Sequence, residues 1–344
     1  MSLKKSKVVD EPDPTRPTLE ETIQSGNAFT VPWSHNVKPL MEGFDSTKIR
    51  DKSRGPWISY ISPFDENRIP KMEAVLAEPG GGISSFHDGK STHAGTCTEH
   101  LSGGLGLTAG VPGVSVTVSG KYDMNCITNQ NVGDGIQISR NTSCRVGRIV
   151  LDRTPPFSAE AVAMLRANDG AARFKAKYGD YYVAGYELGA DAGACMSASS
   201  SSSRKEETIE LTVTVEVLFW SESVTTSTTK ATTTADSAFS FCGYNSLTNE
   251  IDKIETKGLK PSQQEQIQRA AGEYLAQVRN LYPNVRKRLG ELGVQDGQKL
   301  PLTAATQLCR SGLVVAILLA PFTRLNEFVL NAYASRNLLD LDSN

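Results

Sequence analysis

Apolar and polar residues alternate with a period of two over much of the first two thirds of the chain. From Tyr182, the residues Tyr182, Ala184, Tyr186, Leu188, Ala190, Ala192, Ala194 and Met196 alternate with Val183, Gly185, Glu187, Gly189, Asp191, Gly193, Cys195 and Ser197. That is the side-chain period of a β-strand. One face is apolar, the other small or acidic, and glycines on the second face permit close backbone approach or a strong bend. A second alternation runs through Leu105, Leu107, Ala109 and Val111 to Pro112-Gly113, which reads as a turn or bulge. It resumes at Val114, Val116, Val118, Gly120, Tyr122 and Met124. A third sets Ile209, Leu211, Val213, Val215, Val217 and Phe219 against Thr208, Glu210, Thr212, Thr214, Glu216 and Leu218. A one-residue slip there would exchange the faces, so the pattern predicts a strand of well-specified register. Shorter strands are predicted at 56–64, 136–139, 146–152 and 237–244. Lys71 to Glu78 is apolar without a clear period.

Helical spacing appears in two places. Ser158 is placed to cap a helix over 158–166, Asn168-Asp169-Gly170 interrupts it, and a helical turn resumes up to Tyr178. After Pro261, Ile267, Ala270, Ala271, Tyr274, Leu275, Val278 and Leu281 fall on one helical face. Pro283 is expected to break that helix, Val285 to Leu292 to form a short one, and Leu302 to Leu338, interrupted at Pro321, to supply at least two more. These patterns predict an α+β fold: a bent, mainly antiparallel β-sheet of long strands flanked by helices, with a C-terminal helical region. The expected division is an extended N-terminal arm over 1–56, the bent-sheet domain over 57–250, and a helical region packed on the sheet over 251–344.

Composition narrows the function classes. The 344 residues carry a formal net charge of −2 and a pI near 6.2, so no overall field favours nucleic acid. Six cysteines, at 97, 126, 144, 195, 242 and 309, form no C-x-x-C pair. The N-terminus M-S-L-K-K-S-K-V-V-D has no apolar segment of a secretory signal, which leaves cytoplasmic residence or leaderless export, with membrane association open. Reduced thiols are expected on that basis. The longest apolar run, Leu313 to Phe322, falls short of the ~20 residues of a spanning helix.

Candidate chemistry is sparse. His87, His93 and His100 cluster around Cys97, and His93-x3-Cys97-x2-His100 offers zinc-compatible atoms. The spacing matches no standard ligand pattern, and polar loop residues are the plainer reading. Gly89-Lys90-Ser91-Thr92 imitates the end of a phosphate loop, but Ser84 stands where the leading glycine belongs. Glu187 and Asp191 share a strand face, which is read as a solvated face rather than an acid/base pair. No nucleophile elbow, zinc-protease or dinucleotide motif is present. The expectation is a protein that is not an enzyme and uses no cofactor.

The run Tyr178-Gly179-Asp180-Tyr181-Tyr182, followed by Gly189-Ala190, resembles the signature of the membrane-attack-complex/perforin and cholesterol-dependent-cytolysin-like family. There an aromatic-Gly-Thr-His-aromatic run precedes a Gly-Gly pair at this spacing; Asp180-Tyr181 replaces Thr-His here and Ala190 replaces the second glycine. The resemblance implies that Tyr178, Gly179, Tyr182, Gly185 and Gly189 support the hinge of a sheet that later opens. It implies a membrane-directed, self-assembling protein, a candidate pore-forming toxin or defence factor. It would be soluble before assembly, with membrane lipid or a membrane-associated receptor as partner and copies of itself as neighbours. The alternative is a non-lytic interaction or scaffold protein that keeps this fold without inserting segments. Perforating members carry two helical clusters that unfurl into amphipathic hairpins. With 209–219 paired to the motif strand across the serine run, that link is too short for such a cluster, and so is Asn125 to Gly135. The threonine run 225–234 alternates nothing apolar.

Overall fold

Two long strands run the full height of the sheet, and five of the other nine described strands pair with part of them. The computed structural model describes residues 19–32, 39–48, 57–58, 61–68, 71–76, 83–91, 135–199, 214–215, 219, 237–248 and 250–341. In chain order the elements are α1 (Leu19–Gln24), β1 (Phe29–Pro32), β2 (Gly43–Phe44), β3 (Trp57–Ile58), β4 (Met72–Leu76), β5 (Ile83–Ser91) and β6 (Gly135–Leu151). They continue as α2 (Ala159–Arg166), α3 (Gly170–Tyr178), β7 (Tyr181–Ser199), β8 (Ala238–Asn245), β9 (Glu250–Lys257) and α4 (Pro261–Glu291). The last are β10 (Lys299–Leu300), α5 (Ala304–Arg310), β11 (Val314–Pro321) and α6 (Asn326–Leu341).

The long strands β6 and β7 pair antiparallel from Gly135↔Ser199 to Val150↔Gly185. Their outer neighbours change partway along. The upper part of β6 pairs with β4 and its lower part with β5. The upper part of β7 pairs with β11 and its lower part with β8. The result is an upper half-sheet β10-β4-β6-β7-β11-β1 and a lower one β5-β6-β7-β8-β9 that share the central pair. All pairings among the described strands are antiparallel, so the predicted α+β fold with a large antiparallel sheet of long strands is the observed one.

Helices cover the sheet where its apolar residues lie. Ser158 caps α2 as expected, its hydroxyl accepting from the Ala161 N–H at 3.2 Å. The upper core collects Phe44, Phe64, Phe157, Phe174, Tyr178, Tyr182, Tyr186 and Phe322. Below, Ile138, Met196, Phe239 and Phe241 pack against Ile267, Ala271 and Tyr274 of α4.

Four expectations change. Helix α4 runs through Pro283. Ile267, Tyr274, Val278, Leu281, Val285 and Leu289 are buried on both sides of that proline, and their packing on the sheet outweighs the ~3 kcal/mol that an interior proline costs. Second, Val314–Pro321 is a strand rather than a helix. It lies between β1 and β7, and a strand covered on both faces reads as a continuous apolar run that periodicity cannot tell from helix. Third, Thr214, Val215 and Phe219 are helical, and the partner of β7 on that side is β8. Val215 and Phe219, four apart, both join the core beneath α4, so tertiary packing overrides β-propensity there. Fourth, Phe29–Pro32 and Gly43–Phe44, within the segment read as an arm, are strands bonded to β11 and β7. Likewise β9, β10 and β11 lie within the region read as helical.

Pro283 is exposed, and its replacement by alanine restores an N–H that can donate to the Arg279 carbonyl. Pro283→Ala should raise the thermal midpoint by ~2–4 °C, a gain of about 1 kcal/mol. An unchanged or lower midpoint in calorimetry would mean that α4 is already kinked there.

Candidate functional site

The signature residues form the joint between α3 and β7. Tyr178 ends α3 with 1% of its surface exposed. Gly179 then turns the chain at φ +85°, where a Cβ would sit 2.3 Å from the Phe44 carbonyl oxygen, so both the left-handed conformation and the close approach require glycine. Asp180, where the family has threonine, ties the joint to the segment after β2. Its carboxylate accepts from the Ser46 N–H at 2.8 Å and the Ser46 hydroxyl at 2.6 Å, and it pairs with Lys175 Nζ at 2.9 Å. Tyr181 meets Phe29 edge-on at 4.9 Å. Tyr182 lies between Phe64 and Phe322, with ring centroids 5.3 and 5.2 Å away. Burial pushes the Tyr181 phenol up to about 12 and raises those of Tyr182 and Tyr186, so these rings act as packing groups.

Further along β7 the strand changes partners between Leu188 and Ala192; Gly185 lies before that change and Gly189 at it. Gly185 lies opposite Val150. Gly189 lies opposite Arg145, next to a register shift in β6 between Arg145 and Gly147. A Cβ on Gly189 would fall 1.9 Å from the Cys144 carbonyl oxygen, and the irregularity bends and twists β6 at that level. Arg145 fills the site. Its Nη1 donates to Asp191 Oδ1 at 2.6 Å and to the Cys144 and Ala190 carbonyls at 3.1 and 3.4 Å. Its Nε lies 3.4 Å from Glu187 Oε2. Asp191 is 2% exposed, and its own N–H donates to the Ser246 hydroxyl at 2.8 Å. The pair read as a solvated face is therefore a buried carboxylate and a half-buried one gathered by one guanidinium. Burial pushes the adjacent Cys144 thiol up to about 11, so it is no nucleophile.

The lower ends of the strands meet at one edge. Gly135 pairs with Ser199, Ser199 with Ala238, and Ser91 with Gln137. The links 92–134, between β5 and β6, and 200–237, between β7 and β8, both leave from this edge. The link after β7 is longer than expected because the partner of β7 is β8 rather than residues 209–219; the strands expected at 105–124 and the link residues 125–134 lie outside the described residues. His87 falls in β5 opposite Asn141; His93, Cys97 and His100 lie outside the described residues. Gly89-Lys90-Ser91 is extended strand, not a phosphate loop. Among the described residues no cluster of three His, Cys, Asp or Glu side chains is placed to hold a metal, and no helix is long and apolar enough to cross a membrane.

No family model and no curated protein matches this sequence. Among solved structures, GNIP1Aa from Chromobacterium piscinae aligns over 91% of this chain and 56% of its own, with 13% identity and a TM-score of 0.28. A non-hemolytic pneumolysin from Streptococcus pneumoniae aligns over 86% and 59%, with 8% identity and a TM-score of 0.36. A putative cell invasion protein with a MAC/Perforin domain from Bacteroides thetaiotaomicron aligns over 82% and 63%, with 9% identity and a TM-score of 0.27. The chain thus spans less than two thirds of each of these structures. The matches include the family that the Tyr178–Ala190 signature resembles.

Two outcomes test the joint. Gly189→Val forces a Cβ into the Cys144 carbonyl and should lower stability by more than about 3 kcal/mol or prevent folding. Gly272→Ala, on α4 with open space around it, should be neutral or stabilising and serves as the control. For pH, the folded-state values near 11 for Cys144 and 12 for Tyr181 lie above the ordinary 9.0 and 10.0. Their stabilising contribution is complete below pH 9 and is lost as pH rises through 11 to 12. The thermal midpoint should hold level from pH 7 to 8.5 and fall beyond 9, less steeply in Cys144→Ala.

Proposed function

We propose that this chain is a perforin-like, membrane-directed protein that assembles with copies of itself and inserts its two long links as β-hairpins. The observation that carries this reading is the common exit of links 92–134 and 200–237 from the lower edge of β5-β6-β7-β8. Extending these strands past that edge would continue a sheet already in register. The link sequences support the reading. In the first, Leu105 to Val111 and Val114 to Met124 alternate on either side of Pro112-Gly113, the pattern of a hairpin with one apolar face. The second of these stretches matches the ~9–11 residues of a membrane-spanning strand. In the second link, Ile209 to Phe219 alternates in the same way. Three of its residues are helical in the present state, with Val215 and Phe219 stored against α4, as a segment that changes structure on insertion would require. In this reading Tyr178, Gly179, Tyr182, Gly185 and Gly189 support the hinge, Arg145 and Asp191 set its resting geometry, and no catalytic step is involved. A lipid surface or a receptor on it is the partner.

One observation favours the non-lytic alternative: Thr225 to Thr234 offers no apolar face for the second arm of the second hairpin. Single cysteines at 114 to 119, carrying an environment-sensitive fluorophore, decide between the two on liposomes that contain a self-quenched dye. Insertion predicts dye release and blue-shifted emission at 114, 116 and 118 but not at 115, 117 and 119. Intact liposomes at high protein dose, with no alternation, would sink the insertion reading; a discrete lipid-independent oligomer would then favour the scaffold.

A further inference from the structure

At the end of the sheet opposite the two links, arginines from three separate segments line one cleft. Arg68 closes the 3-10 turn Glu66–Arg68, Arg153 follows the end of β6, and Arg324 closes the 3-10 turn Phe322–Arg324. The cleft has a volume of 890 Å³, within the range of small-ligand sites. All three side chains are exposed. Arg324 is held in place, its Nε donating to the Gly26 carbonyl and its Nη2 to Asn27 Oδ1, both at 3.0 Å. Two of its five N–H groups are thereby used. Arg68 Nε lies 3.8 Å from Asp65, a loose surface pair that leaves most of its fork available. Arg153 forms no ion pair among the described residues. Among the described side chains of the lining the carboxylate is Glu327, which accepts from the Phe157 N–H at 2.8 Å. The first turn of α6 begins at this wall, and its leading N–H groups and dipole add to the positive potential.

We propose that this cleft binds a small anion carrying two or more phosphate groups, taken from solution. The guanidinium fork matches phosphate oxygens two at a time. A single carboxylate engages one fork, whereas three forks spread around one cleft suit a ligand with several anionic groups. The choice of a soluble source rests on the proposed insertion: β6 has 17 residues, and at ~3.3 Å per residue it separates the cleft from the inserting edge by roughly 50 Å, beyond reach of a headgroup. The anion site itself does not depend on insertion.

Calorimetric titration of the full chain with inorganic pyrophosphate and with inositol hexakisphosphate tests this, alongside Arg153→Gln and Arg68→Gln variants checked for an unchanged thermal midpoint. The wild type should bind at least one of the two saturably, more weakly as salt rises, and each variant should lose about 10-fold or more in affinity. Should one variant fail to fold, the other carries the test. Phosphatidylcholine vesicles with and without phosphatidylinositol 4,5-bisphosphate supply the second arm and should show no binding that depends on Arg153. No saturable binding of either soluble anion, or binding that both variants retain, would overturn the site. Arg153-dependent binding to the phosphoinositide vesicles alone would overturn the soluble source. Liposomes that stay intact leave these titrations readable, so the failure of insertion and the failure of this site are distinguishable.

Discussion

An arginine and its carboxylates sit where the two half-sheets meet. Arg145 of β6 and Asp191 of β7 lie at the level where β4 gives way to β5 on one side and β11 to β8 on the other. Taking two charges out of water costs several kcal/mol per ion, and attraction offsets that only when the remaining hydrogen-bonding groups are satisfied. Here they are engaged: the guanidinium reaches two carboxylates and two backbone carbonyls, and Ser246 holds the Asp191 backbone through its N–H and its hydroxyl. The arrangement fits only one register of β6 on β7, with glycine at 189, since a one-residue slip would leave a buried charge unmatched.

The halves on either side of this pair differ in what holds them. Above it, Phe64, Phe157, Phe174, Tyr178, Tyr182 and Phe322 form a continuous aromatic cluster. Large rings carry much of the burial energy of a core. Below it, β7 presents Ala194, Met196 and Ala198, and the large rings come from β8 and α4, in Phe239, Phe241 and Tyr274. The lower half relies on α4 and on Val215 and Phe219 for its covering. The proposed rearrangement uses that difference: the half covered by Val215 and Phe219 carries the long links.

Much of this was readable from residues whose neighbours in sequence are also their neighbours in space. The cap at Ser158, the face of α4 and the alternation of β7 follow from local periods. The turn at Gly179 follows from the motif. What escaped depends on partners distant in the chain. Nothing in 209–219 reveals that β7 pairs with β8 instead, and a threonine- and valine-rich stretch reads as strand until packing against α4 is known. The run at 314–321 looks helical because both of its faces are covered. Asp191 looks solvated until Arg145, on another strand, is placed against it. The signal for that pair was present, two acidic residues on one face of a mostly small and apolar strand with an arginine two residues before a glycine in the preceding strand, but the register was not. Asp180 likewise reads as a departure from the motif until Ser46 is brought to it.

The most direct test is a double-mutant cycle on Arg145 and Asp191, with Arg145→Met, Asp191→Asn and the double variant compared by denaturant unfolding. Each single change should cost about 3 kcal/mol or more, and the double variant should cost less than the sum by at least ~1.5 kcal/mol, because it leaves no orphaned charge. Additive losses, or single losses below ~0.5 kcal/mol, would contradict the claim that this pair fixes the junction of the two half-sheets.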